Sequence, residues 1–359
     1  MRYSTLFLFL IGLAIASCHQ QTAPSPPPPV VEEKIPEKPD KSGRIEPGNI
    51  ELIAFGSCNK IDLPQRMWTP ILQNKPDLWV WLGDILYADT ENMNKMAAYY
   101  KKQKNKEGYK KLIKNCTVLG IWDDHDYGMN DGGKNYSKKN ASKKLLLDFL
   151  DVPKNEKVWK RPGVYQSYTF GEPGKRVKII LLDTRYFRDD LKKSLSTKRR
   201  YSPNKKGTIL GEQQWDWLER ELKNSTAQIN IIASSIQVLP KEHRFEKWDN
   251  FPKERTRLLR LIQSTSPQKV ILISGDRHIS EISKIKLKKL PYLLYEITSS
   301  SLTHARPKPE GEPNQYRVGK LVDKNNFSVL RFDWSQKEVK VKVEIRGRSN
   351  NIYETQDLF

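Results

Sequence analysis

Cys116-Thr117-Val118-Leu119-Gly120-Ile121-Trp122-Asp123-Asp124-His125-Asp126-Tyr127-Gly128 is an apolar run that ends, without a break, in four acidic or imidazole side chains. The apolar half has the composition of a buried strand. Such a strand cannot carry the acidic run into a core, because unpaired buried charge is very costly. The change of character therefore marks a strand end, and the side chains beyond it need a counter-charge. A bound metal ion is the simplest one.

Other apolar runs end the same way. They are Leu52-Ile53-Ala54-Phe55-Gly56-Ser57-Cys58, Trp79-Val80-Trp81-Leu82-Gly83-Asp84-Ile85-Leu86-Tyr87 and Val270-Ile271-Leu272-Ile273-Ser274-Gly275-Asp276-Arg277-His278. Each passes through small residues to a group able to bind metal. Ligands of open α/β sheets collect beyond the carboxyl ends of strands, so the repetition points to one shared site.

Strand-like runs recur at 50–57, 77–82, 117–122, 164–169, 177–183, 229–235, 269–274 and 292–298, with helical patterns at 137–150, 212–224 and 252–264. Alternation of this kind argues for a layered α/β fold. Near the end Val339, Val341, Val343 and Ile345 alternate with Lys340, Lys342, Glu344 and Arg346, a half-buried strand expected to pair antiparallel with 327–334. A mixed sheet follows. Residues 50–359 read as one catalytic domain.

The first residues read differently. Residues 1–17 carry Arg2, an apolar stretch from Leu6 to Ala16, and then Ile15-Ala16-Ser17-Cys18, which resembles a bacterial lipobox with Cys18 as the lipidated residue. The stretch suits a signal peptide and is too short to span a bilayer. Residues 18–49 include Pro26-Pro27-Pro28-Pro29 and cannot bury enough apolar surface to fold, so they are expected to act as a tether. The implied location is a bacterial cell envelope, at the outer membrane, periplasm or cell surface. The net charge of +21 is spread along the 359 residues, without a nucleic-acid motif or a repeat, and reads as a lysine-rich solvated surface. Adhesion to anionic glycolipid is the second reading of that charge. Of the three cysteines, Cys58 and Cys116 remain if Cys18 is lipidated. An oxidising envelope invites a disulfide between them, but Cys116 reads more readily as a small core residue.

The site candidates follow from donor chemistry. Asp84, at a sharp turn after Gly83, can bridge two cations and so build a two-metal centre for displacement at phosphorus. Tyr87 lies three residues on, and a trivalent iron would hold it as phenolate. Cys58 offers a thiolate that also suits iron, whereas Asp124 and Asp276 are hard oxygen ligands suited to calcium, magnesium or manganese. His278 can bind through either ring nitrogen, and His125 is left for proton transfer. Read alone, Cys58 and Tyr87 are ordinary core residues; their joint occurrence at strand ends carries the signal.

Gly56-Ser57-Cys58, Gly83-Asp84-x-x-Tyr87, Trp122-Asp123-Asp124-His125-Asp126-Tyr127-Gly128 and Ser274-Gly275-Asp276-Arg277-His278 together resemble the alkaline phosphatase D (PhoD-like) family of the calcineurin-like metallophosphoesterase superfamily. So do Leu182-Asp183-Thr184-Arg185, Leu210-Gly211-Glu212-Gln213-Gln214-Trp215-x-Trp217-Leu218 and Glu296-Ile297-Thr298-Ser299-Ser300. The resemblance implies a four-layer α/β/β/α sandwich with mixed sheets. It implies hydrolysis of phosphate monoesters, diesters or both, by attack of a metal-activated hydroxide. It suggests iron(III) at Cys58, Asp84 and Tyr87, completed by Asp276 or His278, and calcium at Asp84 and Asp124. His125 is then the catalytic histidine beside Asp124. Where the wider superfamily has a further histidine ligand, Ala233-Ser234-Ser235-Ile236-Gln237 has none, and Gln237 becomes a candidate neighbour of the substrate. Arg185 is a candidate phosphate clamp, with a structural salt bridge as its alternative. Asp123 is expected behind the ligands. The expected partners are a phosphoester and, through the anchor, a membrane, with the chain acting as a monomer. The competing functions are a surface lipoprotein that binds anionic polymer and a phospholipid-specific phosphodiesterase.

Overall fold

Two mixed β-sheets lie face to face, because the chain supplies strands that are apolar on both sides. The computed structural model describes Met1 and residues 48–197, 199–307 and 311–359. The expected signal peptide beyond Met1, Cys18 and almost all of the expected tether lie outside them. The strands are β1 (Leu52–Gly56), β2 (Leu78–Leu82), β3 (Thr117–Ile121), β4 (Gln166–Phe170), β5 (Val177–Leu181), β6 (Lys192–Lys193), β7 (Tyr201–Ser202), β8 (Ile229–Ser234), β9 (Val270–Ser274), β10 (Ser280–Lys286), β11 (Leu293–Ser299), β12 (Arg317–Val322), β13 (Phe327–Asp333), β14 (Lys340–Arg346) and β15 (Ile352–Asp357). The helices are α1 (Trp68–Gln73), α2 (Met93–Lys104), α3 (Glu107–Asn115), α4 (Asp124–Tyr127), α5 (Lys139–Phe149), α6 (Gly211–Lys223) and α7 (Pro252–Thr265).

One sheet has the order β15-β14-β13-β1-β2-β3, and the other β12-β10-β11-β9-β8-β5-β4; β6 and β7 form a separate hairpin. β1, β2 and β3 run parallel, as do β5, β8, β9 and β11. Their carboxyl ends therefore reach the same edge of the molecule.

The burial of β1, β2, β3, β5, β8 and β9 is complete on both faces, which is why these runs lack a polar alternation. Ile53, Phe55, Val80 and Ile121 meet Ile179, Ile231, Ile271 and Ile297 between the sheets. The outer face of the first sheet, with Trp79 and Trp81, packs on Trp68, Tyr100, Tyr109 and Leu146 from α1, α2, α3 and α5. The outer face of the second, with Ile180, Ile232 and Leu272, packs on Trp215 and Leu218 of α6 and Leu258 and Ile262 of α7. The result is the expected α/β/β/α sandwich.

The expected pairing of 339–345 with 327–334 is the β13–β14 hairpin, with Leu330 opposite Val343. Its alternation breaks at Glu344, which is buried because Arg331 and Arg346 both bind its carboxylate. Cys58 and Cys116 are free thiols, each buried, so no disulfide joins them. Among the described residues no helix is long and apolar enough to cross a membrane.

Candidate metal centre

The site forms where the two sheets touch at their carboxyl ends. A Cβ on Gly275, just after β9, would lie 2.6 Å from Ser57 Oγ and 2.7 Å from Leu82 O, so only glycine lets the ends of β1, β2 and β9 close on one another. Ser57 Oγ donates to Ser299 O at 3.1 Å and Ser299 Oγ donates to Phe55 O at 3.2 Å, which ties β1 to β11 across the sheets. Four candidate ligands adopt left-handed backbone: Cys58 (φ 59°), Asp84 (φ 50°), Asp276 (φ 68°) and His278 (φ 55°). Such conformations cost about 1–3 kcal/mol each and concentrate at functional sites. Gly83 precedes Asp84 with φ 87°, and a Cβ there would stand 2.4 Å from Asp123 Cβ. The turn thus throws the Asp84 carboxylate across the mouth of both sheets.

Around Asp84 the donor atoms converge. Cys58 Sγ donates to Asp84 Oδ2 at 3.3 Å, and Tyr87 Oη donates to the same oxygen at 3.1 Å. Tyr87 Oη also lies 3.2 Å from His278 Nε2. Ser300 Oγ sits 3.1 Å from the Cys58 sulfur and accepts the His278 backbone N–H at 2.8 Å, fixing thiol and imidazole together. Cys58, Asp84 and His278 form one cluster of possible ligand atoms, all within 4.8 Å of one another. Asp84, Asp124 and His125 form a second by the same measure. Asp84 belongs to both.

His125 is held from outside the acidic run. Its Nδ1 lies 2.7 Å from Asp89 Oδ2, and its ring leans over Tyr87 with centroids 4.1 Å apart. Burial alone would lower the imidazole pKa, but Asp84 and the bond to Asp89 outweigh it and raise the value to about 10. Asp126 does not touch the imidazole. It accepts the N–H of Asp123 at 2.7 Å and of Ile85 at 3.1 Å, locking the ends of β3 and β2 together.

The residues present fit cations. Oδ1 of Asp84 and Oδ1 of Asp124 are buried without a hydrogen-bond partner among the described residues, and an orphaned buried carboxylate oxygen is costly. Burial, and then the Cys58 charge, pushes Asp84 well above the usual carboxylate value. Burial likewise raises Cys58 to about 11 and holds Tyr87 high, with Asp84 and Cys58 adding to the latter. Burial raises Asp124 too, but Arg185 and His125 prevail and hold it low. Crowded anionic donors of this kind exchange protons for metal. His278 is kept neutral, its pKa lowered to about 3 by burial and then by His304 and Arg306, and a neutral imidazole can ligate.

Other candidates lie elsewhere. Asp276 is outside both ligand clusters, although Asp123 and Asp124 are near enough, with burial, to raise its pKa. Arg185 is not an open phosphate clamp. It is fully buried, its Nε donates to Asp123 Oδ1 at 2.7 Å and its Nη1 to Glu246 Oε2 at 2.7 Å. The alternative of a structural ion pair describes it. Asp123 sits behind the ligands, receiving Arg185 and, at 2.6 Å, Ser235 Oγ, and does not orient His125. Gln237 is fully buried and donates to Glu281 and Thr298 at 2.8 and 2.7 Å, so it lies beneath the site rather than at its mouth.

Sequence reasoning missed Asp89, Ser300 and Glu246. Asp89 follows the Gly83-Asp84 turn in a polar loop, and Glu246 stands in a segment without motif; neither carries a local signal. Ser300 lies within a segment singled out above, but nothing in its spacing links it to Cys58.

A family model described as PhoD-like phosphatase matches residues 53–351. Alkaline phosphatase D of Bacillus subtilis (strain 168) is 29% identical over 149 residues, 39% of this chain and 24% of that protein, so the match spans well under two thirds of the relative's length. A solved structure of PhoD superposes with a TM-score of 0.65 at 18% identity, covering 88% of this chain and 70% of its own. Purple acid phosphatase PPD1 from yellow lupin (Lupinus luteus) seeds gives 0.56 at 10% identity, covering 87% and 54%. A dimetal phosphatase from Danio rerio gives 0.51 at 13%, covering 86% and 99%. At these identities the structural likeness is one of fold. The family match, by contrast, runs from β1 past the β13–β14 hairpin through every strand end that supplies the site, and the chain belongs to the PhoD-like phosphatase family.

Proposed function

We propose that this chain hydrolyses phosphate esters at a two-metal centre built on Asp84. The observation that carries the reading is the pair of ligand clusters sharing Asp84, with one oxygen of Asp84 and one of Asp124 buried and unbonded among the described residues. One cation, read as iron(III), would be held by Cys58, Asp84, Tyr87 and His278, with Asp276 as a further candidate. The other, read as calcium, would be held by Asp84 and Asp124. Bound there, the pair would supply positive charge for phosphoryl oxygens and lower the pKa of water.

The chain's own residues do the rest. Asp84 turns Oδ2 toward Cys58 and Tyr87, which leaves Oδ1 for the second cation. His125 has Nδ1 engaged by Asp89, so Nε2 is the nitrogen left to protonate the departing oxygen. Arg185, Asp123 and Glu246 form a buried ionic cluster whose arginine holds the Asp124 carboxylate ionised. Positioning and charge stabilisation of this kind make up most of phosphoryl-transfer catalysis. The sequence before Gly48 supports a lipid anchor at Cys18, which would hold a monomeric enzyme at a bacterial envelope membrane.

The test is turnover of a chromogenic monoester and a chromogenic diester by the metal-loaded protein, with chelator controls. Activity lost on chelation and in Asp84→Ala is expected. A fully loaded protein that turns over neither ester overturns the reading, and retained activity in Asp84→Ala overturns the bridging role.

A further inference from the structure

Three N–H groups fold the chain after α4 back onto Asp124. Gly128 and Met129 donate to its carbonyl at 3.0 and 3.1 Å, and Asp131 donates to its carboxylate Oδ2 at 2.7 Å. The last bond pins the carboxylate and leaves the orphaned Oδ1 as its open donor. Asp131 reaches Oδ2 from a left-handed backbone, with φ 54°. That conformation costs a non-glycine residue free energy, so other contacts must hold the turn.

Two sets of contacts do. From the core side, the fully buried Arg188 donates through Nη2 to Gly132 O at 2.6 Å and to Asp131 O. From the other side, the β6–β7 hairpin grips the Asp131 carboxylate. The Tyr201 hydroxyl donates to Asp131 Oδ2, and Arg200 Nη2 pairs with the same oxygen at 3.0 Å. The hairpin is itself moored to the segment that carries Glu246. The Arg200 N–H donates to Arg244 O at 3.1 Å, and the Asn204 N–H donates to Asn250 O at 2.6 Å. Asp131 stands in neither ligand cluster.

A carboxylate that is already held gives up less freedom when a cation binds. Groups that orient a metal ligand are worth about 10–100-fold in metal affinity. Resting on the two-cation reading, we propose that Asp131 and Tyr201 are positioning residues for Asp124, and that the β6–β7 hairpin thereby sets how tightly the second cation is held. Tyr201 acts through the Asp131 carboxylate, and Asp131 acts through its N–H on Asp124 Oδ2.

The experiment compares full-length wild type, Tyr201→Phe, Asp131→Gly and the double variant. Tyr201→Phe keeps the buried ring, and glycine keeps the Asp131 N–H while adopting φ 54° without strain. Each protein is dialysed free of calcium and titrated with calcium by calorimetry, and its iron content and melting temperature are recorded. The second site is the binding event that Asp124→Asn abolishes. Each single variant should bind calcium there about tenfold more weakly, with iron content retained. Because the two residues act in series, Tyr201→Phe should cost nothing more on the Asp131→Gly background. A lower melting temperature with calcium affinity at the wild-type value would make the hairpin merely structural and overturn the proposal. Equal loss of both metals would overturn it as a general loosening of the fold, and a tyrosine effect undiminished in the double variant would show that Tyr201 acts by another route. A wild type with no calcium event that Asp124→Asn removes would sink the two-cation reading itself, and the proposal with it.

Discussion

Asp89 Oδ2 lies 2.7 Å from His125 Nδ1, and this contact joins a loop after β2 to the turn that follows β3. The carboxylate sets which ring nitrogen faces the metal centre. Asp89→Asn removes one of the charges that raise the imidazole pKa to about 10. The histidine then loses its proton at lower pH, so the alkaline limb of the kcat/KM profile should move to lower pH and kcat should fall about tenfold or more. Metal content should stay at the wild-type level. His125→Ala should cost on the order of a hundredfold in kcat without metal loss. Metal loss in that variant would make His125 a ligand instead.

Tyr87 Oη sits 3.1 Å from Asp84 Oδ2 and 3.2 Å from His278 Nε2, among the donors assigned to iron. An iron–phenolate bond absorbs visible light. The purified protein should be coloured, and Tyr87→Phe should abolish the band in a visible spectrum. A colourless, iron-free and fully active protein would remove iron from the assignment.

Arg185 is enclosed by Asp123 and Glu246 with no exposed surface. Arg185→Leu leaves the buried Asp123 carboxylate without its cation, and Glu246 with Arg188 alone, and should destabilise the protein by about 3–5 kcal/mol in chemical denaturation. A phosphate clamp would instead raise KM and leave stability alone.

The metal-free protein should lose stability as pH rises. Burial raises the Asp126 pKa to about 8, whereas a free aspartate titrates near ~3.9. Between those values the folded state binds the extra proton, so stability is highest below the lower value and declines until the carboxyl has ionised. Melting of the chelated protein should therefore fall from about pH 5 to about pH 8, and Asp126→Asn should flatten that decline.

The sandwich and the gathering of the candidate ligands at one sheet edge were legible because their signals are local. Runs such as Trp79-Val80-Trp81-Leu82 have no polar alternation, which marks strands covered on both faces. An acidic or thiol side chain directly after such a run can only stand at the sheet edge, which places Cys58, Asp84 and Asp124 from sequence alone. The Val341, Val343 and Ile345 alternation announced its hairpin for the same reason.

What surrounds those ligands was decided by tertiary contact. Asp89 is 36 residues from His125, Glu246 is 61 from Arg185, and Ser300 is 242 from Cys58. Asp89 and Glu246 are single polar side chains in loops, with no period or motif to announce them, and Ser300 lies in a motif whose spacing does not point to Cys58. Arg185 reads in sequence as clamp or salt bridge alike, because the enclosure that separates the two is built by Asp123 and Glu246 from other elements. The sequence by itself determined which strands are buried and which groups end them, since burial pattern is a property of neighbouring residues. Which histidine is oriented, which arginine is neutralised and which nitrogen is left open depend on loops closing over one sheet edge, and only the folded chain brings those groups within hydrogen-bond range.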